Sequence, residues 1–175
     1  NRLGLTNVRI KDFKSKALPY FLEAPARALK TPIPNLDKRK LHQAVRGTEL
    51  YDQKFKFFKT SVSLDECGLE IGRIRAFTKG WFERESNFLH MTYKYLLGLL
   101  EAGLYEEFYR EAETNLVCFM DPVVYGRSPL ENSSFLVPSN NPDPKLWGKG
   151  FVARLSGSTA EMLSVWQILF FGKQP

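Results

Sequence analysis

The chain has 175 residues, 43% hydrophobic and 14% aromatic, which is enough apolar material for one domain with a sizeable core and too much for a disordered chain. Its net charge of +6 is concentrated at the start: residues 1–60 hold 14 Lys/Arg against 5 Asp/Glu, and the remainder holds 11 against 14. No apolar run reaches the roughly 18 residues of a membrane span, no signal-peptide pattern opens the chain, and Cys67 and Cys118 lack CxxC spacing, so no membrane partner and a reducing, cytoplasmic location are expected.

In chain order, "DFKSKALPYFLEAPARALKTPIPN" mixes helix formers with Pro19, Pro25, Pro32 and Pro34 and predicts short helical pieces broken by turns. "NLDKRKLHQAVRG" predicts a helix from Asn35, a candidate N-cap, to a stop at Gly47. His42 lies on it as a packing or surface residue, since no second metal-type residue stands at helical spacing. "QKFKFFKTSVSL" alternates and is rich in aromatic and β-branched residues, which predicts a strand paired with "LEIGRIRAF" across a turn at Asp65-Glu66-Cys67-Gly68. The same alternation explains the lysines among aromatics in "FKFFKT". No nucleic-acid-binding module is recognisable, and the basic third reads as a solvated face.

From Trp81 the period becomes helical. Leu89, Tyr93, Leu96 and Leu100 share one face, Gly103 stops the run, and "LYEEFYREAETNLVCFM" follows closely enough to predict an antiparallel helix pair. Residues 121–150 carry five prolines, yet also Tyr125, Leu130, Phe135, Leu136 and Trp147, which predicts a long packed loop. A last helix through Ala160, Leu163, Val165, Trp166, Leu169 and Phe170 is apolar almost all round and is expected to be buried. The fold class is therefore mainly α with a small β element, in one domain over 1–175: a basic, Pro-interrupted helical segment to residue 47, then the portion carrying the motifs below.

Two constellations carry chemistry. A helix beginning at Trp81 would align Glu83, Ser86 and His90 on one face, either as a solvated stripe or as hydroxyl and oxyanion partners beside Trp81, Phe82 and Phe88. Ser156-Gly157-Ser158-Thr159, ahead of the last helix, has two readings. One is a helix cap, with Glu161 favourable near the positive end of the dipole; the other is an anion cradle of free N–H groups and hydroxyls. There is no Walker pattern, no GxSxG, no Cys beside a candidate base and no metal cluster, and no cofactor is expected.

"FERESNFLH", "MDPVVYGRSPLENSSFLVPSNNPDP" and "RLSGSTAEMLSVW", in that order, resemble the C-terminal half of the catalytic domain of inverting glycoside phosphorylases, the group of cellobiose phosphorylase and the β-1,3-glucan phosphorylases. The resemblance covers roughly residues 45–170. The Glu-Asn-Gly-Gly-x-Phe-x-His motif is matched at Glu83, Phe88 and His90, with Arg84, Glu85 and Ser86 in place of Asn-Gly-Gly. Glu-Pro-Tyr-Val-Tyr is matched at Glu131 and approximately at Phe135, and Thr-Gly-Thr-Ala at Ser156, Gly157, Ser158 or Thr159, and Ala160. The wording "LYDQKFKFFKTSVSL", "YGRSPLENSSF" and "ARLSGSTAE" is closer to the β-1,3-glucan branches.

The resemblance implies part of an (α/α)6 barrel in which inorganic phosphate, as substrate, attacks a terminal β-glucosyl unit and releases α-glucose 1-phosphate with inversion. It implies phosphate binding by His90, Ser156, Gly157 and Ser158, and β-glucan contacts by Glu83, Phe88, Glu131 and Phe135. The family's general acid is an Asp in a Trp-Asn-Asp context upstream of these motifs. Asp12, Asp37, Asp52 and Asp65 do not match it, so no catalytic residue is expected within this chain, which is expected to be a portion of a longer enzyme, with room for a homodimer in the full-length protein. A helical carbohydrate-binding module using the 121–150 loop, and an (α/α)6 hydrolase using Glu83 and Glu131, are the competing readings.

Overall fold

The computed structural model describes residues 9–152 and 156–173, with Ser156 described by its backbone only. The protein is mainly helical, with small antiparallel sheets. Helix α1 spans Glu23–Leu29, α2 Asn35–Arg46, α3 Leu89–Glu101, α4 Tyr105–Asn115, the one-turn α5 Pro122–Tyr125, and α6 Ser156–Phe171. No described helix is long and apolar enough to cross a membrane.

Three helices run in the same direction. Glu101 at the end of α3 meets Lys30 just past α1 (3.5 Å), and Gly98 of α3 is packed against Leu29 and the Ala26 carbonyl. At the other end, Thr60 joins the starts of α1 and α3, accepting from the Leu22 N–H (2.9 Å) and donating to the Ser86 carbonyl (2.7 Å). Helix α6 lies along α3 in the same sense: Gly157 touches His90 at the start, and the Lys173 ammonium donates to the Glu101 carbonyl at the finish. Helices α2 and α4 run the opposite way, side by side, tied by Arg39–Glu107 (3.3 Å) and Arg46–Glu111 (3.4 Å). The chain thus forms two antiparallel hairpins, α1/α2 and α3/α4, followed by α6. Helix α3 is central and buried on nearly every side: Leu89, Tyr93, Tyr95, Leu96, Leu97, Leu99 and Leu100 all lie in the core.

The sheets brace the N-terminal ends of α1, α3 and α6. Strands β1 (Tyr51–Asp52) and β2 (Phe57–Phe58) form a hairpin. Strands β3 (Asn87–Phe88), β4 (Phe135–Leu136) and β5 (Gly150–Phe151) form a second sheet with β4 central. It joins the chain leading into α3 to the segment shortly before α6.

Several expectations change. The helix 35–46 and its stop at Gly47 are present, with Asn35 inside the first turn rather than at the cap. His42 is a packing residue, 1% exposed, with Nδ1 2.8 Å from the Tyr95 hydroxyl and Nε2 3.4 Å from Glu111. "LEIGRIRAF" is not a strand: it forms 3-10 turns at Leu69–Ile71 and Arg73–Ala76, and the hairpin partner of β2 is Tyr51–Asp52. The helix expected from Trp81 starts at Leu89. Phe82 (φ +49°) and Glu85 (φ +60°) are left-handed there, which a right-handed helix excludes. Helix α6 is not buried all round: Val165 and Ser158 are covered, whereas Leu163, Trp166, Phe170 and Phe171 are exposed. In the 121–150 segment Tyr125, Phe135 and Leu136 pack as expected, but Leu130 is exposed.

Candidate functional site

Helices α3 and α6 begin side by side, so the positive dipole ends of two parallel helices meet. His90 is the second residue of α3, and its imidazole lies flat against Gly157: a Cβ built there would fall 2.8 Å from Nδ1 and 2.9 Å from Cγ. Glycine at 157 is thus required by close approach, not by backbone conformation. The His90 Nε2 faces the Glu161 carboxylate at 3.5 Å, one turn further along α6.

The charge state of His90 follows from these neighbours. Burial, and secondarily the Lys94 ammonium one turn along α3, push its pKa below the ordinary histidine value, and Glu161 opposes them. At neutral pH the ring is therefore neutral, offering one N–H donor and one lone pair, not a cation.

Several buried polar atoms in the segments that meet here have no hydrogen-bond partner among the described residues. The Ser158 hydroxyl is fully buried and accepts no backbone N–H, so it is not acting as a helix cap. The Ser134 hydroxyl and the Asn87 side-chain amide nitrogen are likewise buried without a hydrogen-bond partner. Both belong to segments against α3, since Asn87 is in β3 and the Ser134 carbonyl accepts the Leu89 N–H (3.0 Å). Buried polar atoms normally find partners. The Ser156 side chain lies outside the described residues; its backbone opens α6.

An aromatic stack runs across the sheet beside His90. The Trp81 and Phe151 rings are parallel at 4.0 Å, Phe151 stacks on Phe135 (5.2 Å), Phe135 on Phe88 (4.6 Å), and Phe88 meets His90 edge-on (5.7 Å). The strand register Phe88↔Phe135↔Phe151 sets this row. Phe135 is 6% exposed with neighbours on both faces, so it holds the sheet rather than offering a face to a sugar; Phe88 is partly exposed.

Glu83 and Glu131 are placed differently. Glu83 is not on the His90 helix; its carboxylate lies 3.5 Å from Arg73. Glu131 is exposed, 3.4 Å from Arg127, and its carbonyl accepts the Tyr125 hydroxyl (2.6 Å). Among the described residues neither forms an ion pair with His90, whose carboxylate neighbour is Glu161. The structure therefore brings His90, Phe88, Gly157 and the first turn of α6 together, and leaves Glu83 and Glu131 in separate ion pairs. Sequence reasoning missed Lys94 as a neighbour of His90, although i+4 spacing within one helix signals it. Glu161 was legible only as a complement to the α6 dipole.

Among the described residues no group of three or more His, Cys, Asp or Glu side chains could hold a metal ion. No protein-family model matches the chain, and no curated protein matches it significantly.

Proposed function

We propose that the paired N-termini of α3 and α6 form a phosphate site, and that the chain is a portion of an inverting β-glucan phosphorylase, with β-1,3-linked oligoglucan as the favoured substrate. The observation that carries this reading is the seating of His90 on Gly157 where two parallel helices begin. A phosphate oxygen there would accept from the first N–H groups of α6 and from the Ser158 hydroxyl, while the neutral imidazole donates to an oxygen or accepts the P–OH proton. Glu161, 3.5 Å from the ring, orients it and opposes a second negative charge, which favours a protonated phosphate over the fully ionised one.

The lateral edges of the helical layer support the larger assembly. Beside α1 runs an apolar groove of about 870 Å³ lined by Leu18, Phe21, Leu41 and Val45, and the far face of α6 exposes Trp166, Phe170 and Phe171. Parallel inner helices with antiparallel outer ones, open at both sides, are what a segment of an (α/α)6 ring would present. In phosphorolysis phosphate is itself the nucleophile, so this end of the fold supplies positioning and charge stabilisation, and a general acid from elsewhere protonates the leaving oxygen.

The test is calorimetric titration of the chain with inorganic phosphate. Saturable binding is expected, weakened about ten-fold or more by His90→Ala, which removes an imidazole hydrogen bond, and by Gly157→Ala, whose methyl would displace the ring. Binding unchanged in both variants would overturn the site. The 175-residue chain alone is expected to release no glucose 1-phosphate from β-1,3-oligoglucan. In a longer protein containing it, phosphate-dependent glucose 1-phosphate supports the reading, whereas free glucose identifies a hydrolase and oligoglucan binding without turnover identifies a module.

A further inference from the structure

Where the two long connections meet at the C-terminal end of α2, a cleft of about 550 Å³ opens, lined by Thr48, Glu49, Tyr51, Gln53, Lys59 and Ser139 among others. Lys59 is only 7% exposed, yet its ammonium has no hydrogen bond or close ion pair with any described residue. Burial pulls its pKa below the usual lysine value, and Glu85, Asp52 and Glu49 act against that from further away. A lysine nine-tenths buried along its length, whose ammonium reaches a cleft with no acceptor among the described residues, is placed to donate to a ligand there.

The neighbouring groups are engaged elsewhere, except Glu85 Oε1, which is buried without a hydrogen-bond partner among the described residues. Asp52 Oδ1 accepts from the Lys54 and Phe55 N–H groups (2.9 and 3.1 Å) and the Ser139 hydroxyl (3.0 Å), and its Oδ2 accepts from the Ser139 N–H (2.6 Å). Glu85 Oε2 takes the Asn140 amide (2.6 Å), and Oε1 lies 3.6 Å from Arg84. The Lys54 ammonium sits 4.1 Å over the Trp147 ring. The local charges balance, with Lys54, Lys59, Lys79 and Arg84 against Glu49, Asp52, Asp65 and Glu85, so no net field recruits an ion. A carboxylate or phosphate would in addition face three carboxylates around the ammonium. A neutral ligand rich in hydroxyl oxygens suits this environment: its oxygens accept from Lys59 and its hydroxyls donate to rim acceptors such as Glu49 and Gln53.

We propose that this cleft binds a glycosyl unit, with Lys59 as the hydrogen-bond donor at the end of a buried stem, apart from the residues that meet at His90 and Gly157. The assignment concerns binding only and does not depend on phosphorolysis.

Calorimetry of the chain with a β-1,3-linked glucose pentasaccharide, in phosphate-free buffer, tests it. Saturable binding is expected, weakened about ten-fold by Lys59→Met, which keeps the stem and removes the donor; that is the loss of one charge-assisted hydrogen bond. Lys59→Arg should retain part of the affinity. In the wild-type chain, acylation of the Lys59 amine by acetic anhydride, read by peptide mass spectrometry, should slow several-fold with saturating pentasaccharide. Absence of saturable binding, equal affinity of Lys59→Met, or unprotected acylation would overturn the proposal. Should Lys59→Met fail to fold by circular dichroism, the acylation result decides alone. Phosphate binding that survives while pentasaccharide binding fails removes this cleft and leaves the His90 site standing, and the converse removes only the latter.

Discussion

The two ends of the helical layer are built on different physics. At one end, α1 passes to α2 through residues 30–34 and α3 to α4 through Ala102–Leu104, where Gly103 at φ +75° closes the turn and the Leu104 N–H returns to the Leu99 carbonyl (3.0 Å). That end is sealed by Leu29, Leu99, Leu100 and Leu104, all 2% exposed or less. At the opposite end, residues 47–88 and 116–152 make long connections tied by side chains bonded to backbone. Asp52 holds Ser139, and Arg84 holds the Arg75 and Phe77 carbonyls. Asn115 accepts the Phe58 N–H and donates to the Lys56 carbonyl, while Asn141 donates to the Lys79 carbonyl. The first end supplies stability by burial. Apart from Glu107 Oε2 at the start of α4, the second holds most of the buried polar atoms that lack a hydrogen-bond partner among the described residues, and such groups, costly in a core, collect where a ligand can satisfy them.

The largest effect expected from this contrast is on the sealed end. Leu104→Ala should cost about 2–5 kcal/mol, the usual range for a buried leucine, seen as a lower urea midpoint with phosphate affinity unchanged. A loss well below about 1 kcal/mol would mean that the tight turns, not the apolar seal, hold that end. Arg84→Ala should act on the other end alone. Its removal leaves the Arg75 and Phe77 carbonyls without their donor, at roughly 1–3 kcal/mol, and should quicken amide exchange over residues 65–84 while leaving α3 and α4 protected. Uniformly faster exchange would show that the two ends do not behave independently.

The sealed end was far more legible in the sequence than the other. Period and stop signals give α2, the core of α3, the Gly103 turn and α4, because local pattern and global packing agree there. The open end depends on pairings remote in sequence. Strands of two residues at 87–88, 135–136 and 150–151 leave no periodic trace, and Trp81, Phe82 and Phe88 imitate helical spacing although left-handed Phe82 and Glu85 break it without a Gly or Pro to mark the place. His90 and Gly157 were paired by the order of motifs, not by spacing. Lys59 was hidden as one polar position of an alternating strand; only the fold reveals that it is buried. Helix α6 misled in the other direction, since an all-round apolar sequence does not say which faces this chain itself covers.

The smallest effect, and the most direct reading of the site, is the titration of His90. Its pKa lies below 6.5, chiefly through burial and then Lys94. Above pH 6.5 neither the folded nor the unfolded chain holds the proton, so this group leaves stability unchanged. As pH falls through 6.5 the unfolded chain binds its proton first, and stability declines until the folded pKa is passed, then levels off. The slope from one such group stays below about 1.4 kcal/mol per pH unit. Imidazole resonances followed by NMR should place His90 below the usual value, with Glu161→Gln lowering it further by removing the opposing carboxylate and Lys94→Gln raising it. Saturating phosphate should raise it too, because an anion beside the ring favours the imidazolium. An unchanged titration in phosphate would separate His90 from the anion, and an upward shift in Glu161→Gln would mean that the carboxylate does not face the ring in solution.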